Sequence, residues 1–181
     1  MMTTITDNEI LHLILQAGEQ NKGYRLLVSK YKEKLYWHIR RMVNDHEDAD
    51  DVLQNTFIKV IKNLSQFQQQ AALYTWLYRI ATNECLNFLK NKKNINQESI
   101  ENTAVFYMRA QDETDGDLVL NKLNEAISLL PEKQKLVFNL RYYDEMSYQD
   151  IADITDTSVG ALKASYHHAA KKIEDHIKSS L

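Results

Sequence analysis

At 181 residues the chain has room for one domain or two small ones, and one proline with four glycines leaves few breakers, which favours long helices. A formal net charge of −3 excludes a protein that holds duplex DNA by bulk charge, so any nucleic-acid contact must come from local basic patches or from a larger assembly. The single cysteine, Cys85, excludes an internal disulfide framework and suits a reducing cytoplasm, where mid-helix among apolar neighbours it reads as inert packing. No basic stretch precedes an apolar one at the amino terminus, and no apolar run approaches the ~20 residues of a membrane span. A soluble cytoplasmic protein without membrane insertion is expected.

The first helix is expected to be capped by Asp7 or Asn8 and to carry Ile10, Leu11, Leu13, Ile14 and Leu15. Gly18 to Gly23 reads as its end and a short connection. A second helix follows from about Tyr24 to Val43, with Leu27, Tyr31, Leu35, Ile39 and Met42 as its buried stripe. Lys30, Lys32, Lys34, Arg40 and Arg41 surround that stripe, as a solvated face or a phosphate-facing one.

A third helix opens on acids that its macrodipole favours, and Ala49, Leu53, Phe57, Val60 and Leu64 form its core stripe. Asp48, Asp51 and Asn55, with Gln54 beside them, line a different face. The acids lack the central glycine and terminal glutamate of a calcium loop, so no metal or other cofactor is expected. Capping accounts for the first acids but not for Asp51, Gln54 and Asn55 further down the helix. A partner surface accounts for those.

A polar loop from Leu64 to Ala72 holds one ring, Phe67, placed either to pack back on the domain or to act as a lid beside the next helix. That helix, from Leu73 to about Lys93, has two unlike faces. Leu73, Leu77, Ile80, Ala81 and Phe88 have the spacing of a buried stripe, whereas Tyr74, Trp76, Arg79, Asn83, Asn87 and Lys90 fall outside it. Rings, amides and cations together suit nucleic acid, because rings stack on bases, amides read base edges and cations meet phosphates. Periodicity alone also allows Trp76 and the tyrosines to widen the core contact.

From Asn94 to about Gly116 the period fades into an acidic stretch, interrupted by Val105, Phe106, Tyr107 and Met108, which reads as a linker with a docking segment. The expectation is therefore an all-α chain of two small helical domains, residues 1–93 and 117–181, joined by a flexible linker over 94–116. Leu118, Leu120, Leu123, Ile127 and Leu130 mark the next helix, and Pro131 suits the first turn of another carrying Leu136, Val137, Leu140 and Tyr143. Ser147-Tyr-Gln-Asp150 reads as a capping box, opening a short helix with Ile151, Ala152 and Ile154. Asp156 takes the left-handed turn, and Ser158 caps a last helix with Val159, Leu162, Tyr166, Ala169, Ile173 and Ile177 inside. Short helix, tight turn and longer helix make a helix-turn-helix unit, whose second helix would present Gly160, Ala161, Lys163, Ala164, His167, His168 and Lys171 to a major groove. An ordinary helical hairpin is the alternative.

Taken together, the two halves resemble extracytoplasmic-function sigma factors, the compact sigma-70-family promoter-recognition subunits of bacterial RNA polymerase. Asp48-Ala-Asp-Asp-Val-Leu-Gln-Asn-Thr-Phe57 and Tyr74-Thr-Trp-Leu-Tyr-Arg-Ile-Ala-Thr-Asn83 resemble their region 2. The segments from Leu130, Ser147 and Ser158 resemble their region 4, in the family's order and spacing from about Leu26 to Ile173. The resemblance implies that Asp48, Asp51, Gln54 and Asn55 dock on the clamp coiled coil of core RNA polymerase, and that region 4 meets its flap. It implies that Phe67, Trp76, Arg79 and Asn83 bind and melt the −10 element, with Asn83 at a base-contacting position. It further implies that Ser158, Gly160, Lys163, Ala164, His167 and His168 contact the −35 element of promoter DNA, that the linker threads toward the RNA exit path, and that an anti-sigma factor is a partner.

The chain departs from the family pattern at Asp156, where glycine is common, at Ala164-Ser165, where Ser-Arg is common, and at Ala170, where arginine is frequent. Weak isolated binding to −35 DNA is expected from a recognition helix so poor in phosphate clamps, with pH sensitivity from the two histidines below about pH 6.5. A free-standing regulator that uses only the helix-turn-helix is the second reading. No paired base, nucleophile or metal spacing supports an enzyme.

Overall fold

The computed structural model describes residues 5–69, 71–98 and 115–179, and all the regular structure among them is helical. The chain divides into two units, Met1–Lys90 and Asn91–Leu181.

In the first unit, α1 spans Asp7–Leu15 and is capped by Thr6 rather than by Asp7 or Asn8. The Thr6 hydroxyl accepts from the Glu9 N–H at 3.3 Å while the Glu9 carboxylate accepts from the Thr6 N–H at 2.7 Å, a reciprocal box neither other candidate can close. Those bonds from Thr6 hold the Glu9 carboxyl below its ordinary value. Asp7 is thereby released to α2, Gln20–Val43, where it accepts from Lys30 Nζ at 2.7 Å and from the Tyr31 hydroxyl at 2.8 Å. Burial, then the bond to Asp7, pushes the Tyr31 phenol well above its usual range. Only Ile10, Leu11 and Ile14 of α1 are buried; Leu13 is half-buried and Leu15 is 75% exposed, so the stripe is narrower than its apolar run.

The expected connection ending at Gly23 is mostly helix, since α2 begins at Gln20 and Gly23 is buried inside it. A Cβ on Gly23 would stand 2.5 Å from Ile14 Cγ1 and 2.8 Å from Ile14 N, so the absent side chain is what lets α1 approach. The α2 stripe is buried as expected, with His38 added to it. Asn44 ends α2 in the left-handed region at φ 64°, and Asp45 caps α3, His46–Asn63, by accepting from the Asp48 N–H at 3.0 Å. The α3 stripe is buried, joined by Val52 and Thr56. A single 3-10 turn, Leu64–Gln66, leads towards α4, Leu73–Glu98.

Helix α4 buries Leu73, Thr75, Leu77, Tyr78, Ala81, Thr82 and Cys85. Ile80 and Phe88, expected in that stripe, are only half-buried. Thr82 Oγ1 shares a 3.0 Å hydrogen bond with His38 Nε2, both groups being fully shielded, and Lys59 of α3 pairs with Glu84. Burial pushes the Cys85 thiol up to about 12, in keeping with an inert packing role. The helix continues five residues past Lys93, because nothing from Asn94 to Glu98 breaks it. Val105, Phe106, Tyr107 and Met108 lie outside the described residues.

In the second unit, α5 spans Asp115–Ser128, α6 Glu132–Tyr142, α7 Tyr148–Thr155 and α8 Val159–Ser179. Ala126, Ile127, Leu130, Phe138, Ala169 and Ile173 form one buried cluster, with Leu123, Tyr143, Tyr166 and Ile177 packed around it, and Leu140, Ile151 and Leu162 are also fully buried. Leu120, expected in the α5 stripe, is 53% exposed. Pro131 sits at the cap, one position ahead of the first turn, where its missing N–H is not needed. Phe138, absent from the expected stripe, stacks on Tyr142 and Tyr166 at centroid distances of 5.1 and 5.7 Å.

Replacing a helical glycine by alanine normally stabilises by about 1 kcal/mol. At Gly23 the sign should reverse, because the new methyl overpacks against α1 and costs ~1–3 kcal/mol. Both tryptophans, Trp37 and Trp76, lie in the first unit, so urea unfolding followed by indole fluorescence isolates the effect. A Gly23→Ala midpoint at or above that of the parent chain would contradict the close approach.

Candidate functional site

Three surfaces collect the residues singled out above. On α3, Asp51, Gln54 and Asn55 are exposed, and Asp48 is half-buried in the first turn. Their helical positions place them on one outward face. That face also carries Ile58 and Ile61, 43% and 40% exposed, which the sequence reading passed over. The missed signal was two apolar residues standing off the stripe of Leu53, Phe57, Val60 and Leu64. Acids, amides and two aliphatic side chains on one rigid helix suit a protein partner, with the aliphatic groups supplying desolvation and the polar ones orientation. The neighbouring Asp50 has a local duty: the Tyr36 hydroxyl meets His46 Nδ1 at 2.6 Å, and His46 Nε2 lies 3.5 Å from the Asp50 carboxylate, tying α2 to the start of α3.

On α4, Trp76, Arg79, Asn83, Asn87 and Lys90 follow a three-four-four-three spacing that aligns them along one face. Arg79, Asn83, Asn87 and Lys90 are exposed and Trp76 is half-buried. Tyr74, expected on this face, is instead half-buried on the core side, because it follows Leu73 and precedes Leu77 and Tyr78 around the buried arc. Phe67 follows the 3-10 turn, its N–H donating to the Leu64 carbonyl at 3.1 Å. Its half-buried ring lies against Trp76, with centroids 5.1 Å apart and planes inclined by 42°. Phe67 thus packs back onto the domain and, in doing so, extends the aromatic edge of the α4 face. The arrangement offers a π-surface, an amide with donor and acceptor, and cations along a continuous track, the groups that stacking, edge reading and phosphate contact require.

In the second unit, Ser147 caps α7 by accepting from the Asp150 N–H at 3.1 Å. Asp156 ends α7 in the left-handed region at φ 51°, a conformation its short polar side chain tolerates. Ser158 Oγ then accepts from the Ala161 N–H at 3.3 Å and opens α8. Leu162, Ala169 and Ile173 of α8 are buried, whereas Val159, Tyr166 and Ile177 are half-buried. Ser158, Gly160, Ala161, Lys163, Ala164, His167, His168 and Lys171 are all exposed, on the side away from the core. A Cβ at Gly160 would meet nothing within 4 Å, so no internal packing demands glycine there. Small residues at the start of an exposed helix permit close approach by an external backbone. Among the described residues, no cluster of histidine, cysteine or carboxylate side chains is arranged to hold a metal, and no helix is long and apolar enough to cross a membrane.

The family profile for Sigma-70 region 2 matches residues 27–95, and that for Sigma-70, region 4 matches residues 120–173. The chain is 32% identical over 189 aligned positions to the ECF RNA polymerase sigma-E factor of Haemophilus influenzae, with 98% of each chain covered. In fold it is similar to the sigma factor RpoE of Bartonella quintana, solved in complex with the anti-sigma factor NepR (TM-score 0.72, 22% identity, 87% of this chain and 98% of that one). It is also similar in fold to CnrH, solved in complex with the cytosolic domain of CnrY (TM-score 0.71, 19% identity, 97% of this chain and 100% of that one).

With Trp37→Phe as background, Trp76 becomes the sole indole and its emission reports the Phe67 contact. Adding Phe67→Ala should shift that emission to longer wavelength and increase acrylamide quenching, with urea stability lowered by about 1 kcal/mol for the lost ring pair. Unchanged emission would mean that Phe67 does not shield Trp76 in solution.

Proposed function

This chain belongs to the extracytoplasmic-function sigma factors of the sigma-70 family, and on that premise we propose how its surfaces divide the work of promoter opening. It is a transcription-initiation factor with no catalysis of its own, which binds core RNA polymerase and recognises promoters. The outward face of α3, with Asp48, Asp51, Gln54 and Asn55, docks on the clamp coiled coil of the polymerase. Ile58 and Ile61 extend that contact. The α4 face takes the non-template strand of the −10 element, and the exposed face of α8 meets the −35 duplex while the second unit lies on the flap.

The observation that carries this reading is the α4 face, where Phe67 and Trp76 adjoin Arg79, Asn83, Asn87 and Lys90 along one side of a helix whose other side is core. Extruding a base from a duplex takes a few kcal/mol, roughly what one base can recover by stacking and edge hydrogen bonds. Asn83 is suited to the edge contact because an amide presents a donor and an acceptor in one plane. Arg79 and Lys90 suit phosphates on either side of it. Because the chain is acidic overall, polymerase supplies the remaining electrostatic attraction. Of the expected linker, residues 94–98 belong to α4 and 115–116 to α5, and residues 99–114 lie outside the described residues. The protein works in the cytoplasm and is held inactive by an anti-sigma factor, in keeping with the complex in which the Bartonella quintana RpoE was solved.

Run-off transcription with core polymerase and no other sigma factor tests this reading. A promoter-bearing template from the source genome should give a specific transcript, and its absence would leave a free-standing regulator as the better account. Asn83→Ala should lower permanganate-detected promoter opening by at least about fivefold, as expected for ~1–3 kcal/mol of lost base contact, while core binding is retained. Asp51→Ala combined with Gln54→Ala should weaken association with core polymerase and leave the α4 face intact. Loss of both activities from either variant would undo this division of roles.

A further inference from the structure

Tyr148 is the first residue of α7, and its half-buried ring stands edge-on to Tyr166 of α8, with centroids 6.4 Å apart and planes at 80°. Two cations from different helices lie over that ring. Arg141 of α6 places its guanidinium carbon 5.2 Å from the centroid, and Lys163 of α8 places Nζ at 5.9 Å. Arg141 is held at a second point, since its Nη1 donates to the Met146 carbonyl at 2.7 Å in the turn between α6 and α7.

We propose that Tyr148 is a positioning residue for duplex recognition, holding Arg141 and Lys163 side by side as one phosphodiester clamp. The proposal rests on α8 being the duplex reader and adds to it a cation that α8 does not contain. General physical arguments support it. A free lysine or arginine side chain loses rotamer entropy when it is ordered on a ligand, and a ring that already restrains it lowers that loss. Each such contact leaves the outward N–H groups available, because the ring occupies only one side of the cation. Two positive charges sharing one ring also repel each other, and an anionic phosphate between them relieves that repulsion. The recognition helix has Ser165 and Ala170 where arginine is frequent in this family, so a clamp assembled from α6, α7 and α8 supplies what α8 alone lacks.

The test uses the full chain bound to core polymerase, with binding to promoter duplexes that carry or lack the −35 element measured across a salt series. Tyr148→Leu should lose about fivefold of the −35-dependent affinity and flatten the log–log salt slope by about one. Tyr148→Phe keeps the ring and should restore both values. In an Arg141→Ala, Lys163→Ala background, Tyr148→Leu should have no further effect. Equal losses from Tyr148→Phe and Tyr148→Leu would assign the role to the hydroxyl and overturn the proposal. An undiminished Tyr148→Leu loss in the background without the two cations would mean simple support of the fold, and overturn it equally. A silent Tyr148→Leu alongside a damaging Lys163→Ala would sink the positioning role and leave α8 as the reader. If neither Lys163→Ala nor removal of the −35 element changes binding, the duplex-reading assignment itself fails.

Discussion

The shielded hydrogen bond between His38 of α2 and Thr82 of α4 sets the rotation of the helix that carries the proposed −10 surface. A net gain of only about 1 kcal/mol is expected from such a bond, but leaving either group buried without its partner costs about 1–3 kcal/mol. The penalty works as a constraint on register. Turning α4 by one residue would bring Asn83 inward and leave His38 facing the wrong side chain. With Thr82 inward, together with Leu77, Tyr78, Ala81 and Cys85, the only arc left for Arg79, Asn83 and Asn87 is the outer one. The core of the first unit therefore aims the functional face without touching it.

The second unit reaches a comparable end with less buried material. Its small core is stiffened by stacked rings, Tyr142 on Phe138 and Phe138 on Tyr166. Ser147 and Ser158 open the two helices of the helix-turn-helix, and the left-handed Asp156 makes the turn between them. Charge is then distributed locally rather than globally: acids and amides on the outward face of α3, cations along α4 and α8. That pattern is how an acidic chain can meet both a protein partner and nucleic acid, since interactions between exposed charges fade over about 10 Å at moderate salt.

Much of this architecture was legible in the residues. The stripes of α2 and α3 repeat cleanly, and Ser147, Ser158 and Asp156 act where local chemistry predicts. Legibility ended where two residues could satisfy the same local rule. Thr6, Asp7 and Asn8 are all good helix caps; Thr6 takes the position because Glu9 completes its box while Lys30 and Tyr31 claim Asp7. Gly23 looked like a breaker and is a contact, a distinction that depends on Ile14, nine positions earlier in the chain. Tyr74 and Trp76 are both aromatic and adjacent to core positions, yet they face opposite ways. Ile58 and Ile61 stood off their stripe in plain view, but only their exposure separates a docking surface from a wider core.

By itself, then, the sequence determined that the chain is helical, that it holds a region 2 and a region 4, and that α3, α4 and α8 each carry polar residues off their core stripes. Those features follow from periodicity, capping and family motifs, all of which act over a few neighbouring residues. Only the tertiary structure decided which face of α4 looks outward, which residue caps α1, and that Arg141 and Lys163 both reach the ring of Tyr148. Each of these is a choice among partners distant in the chain, and such choices are made by packing, where a buried group without a partner is too unfavourable to persist.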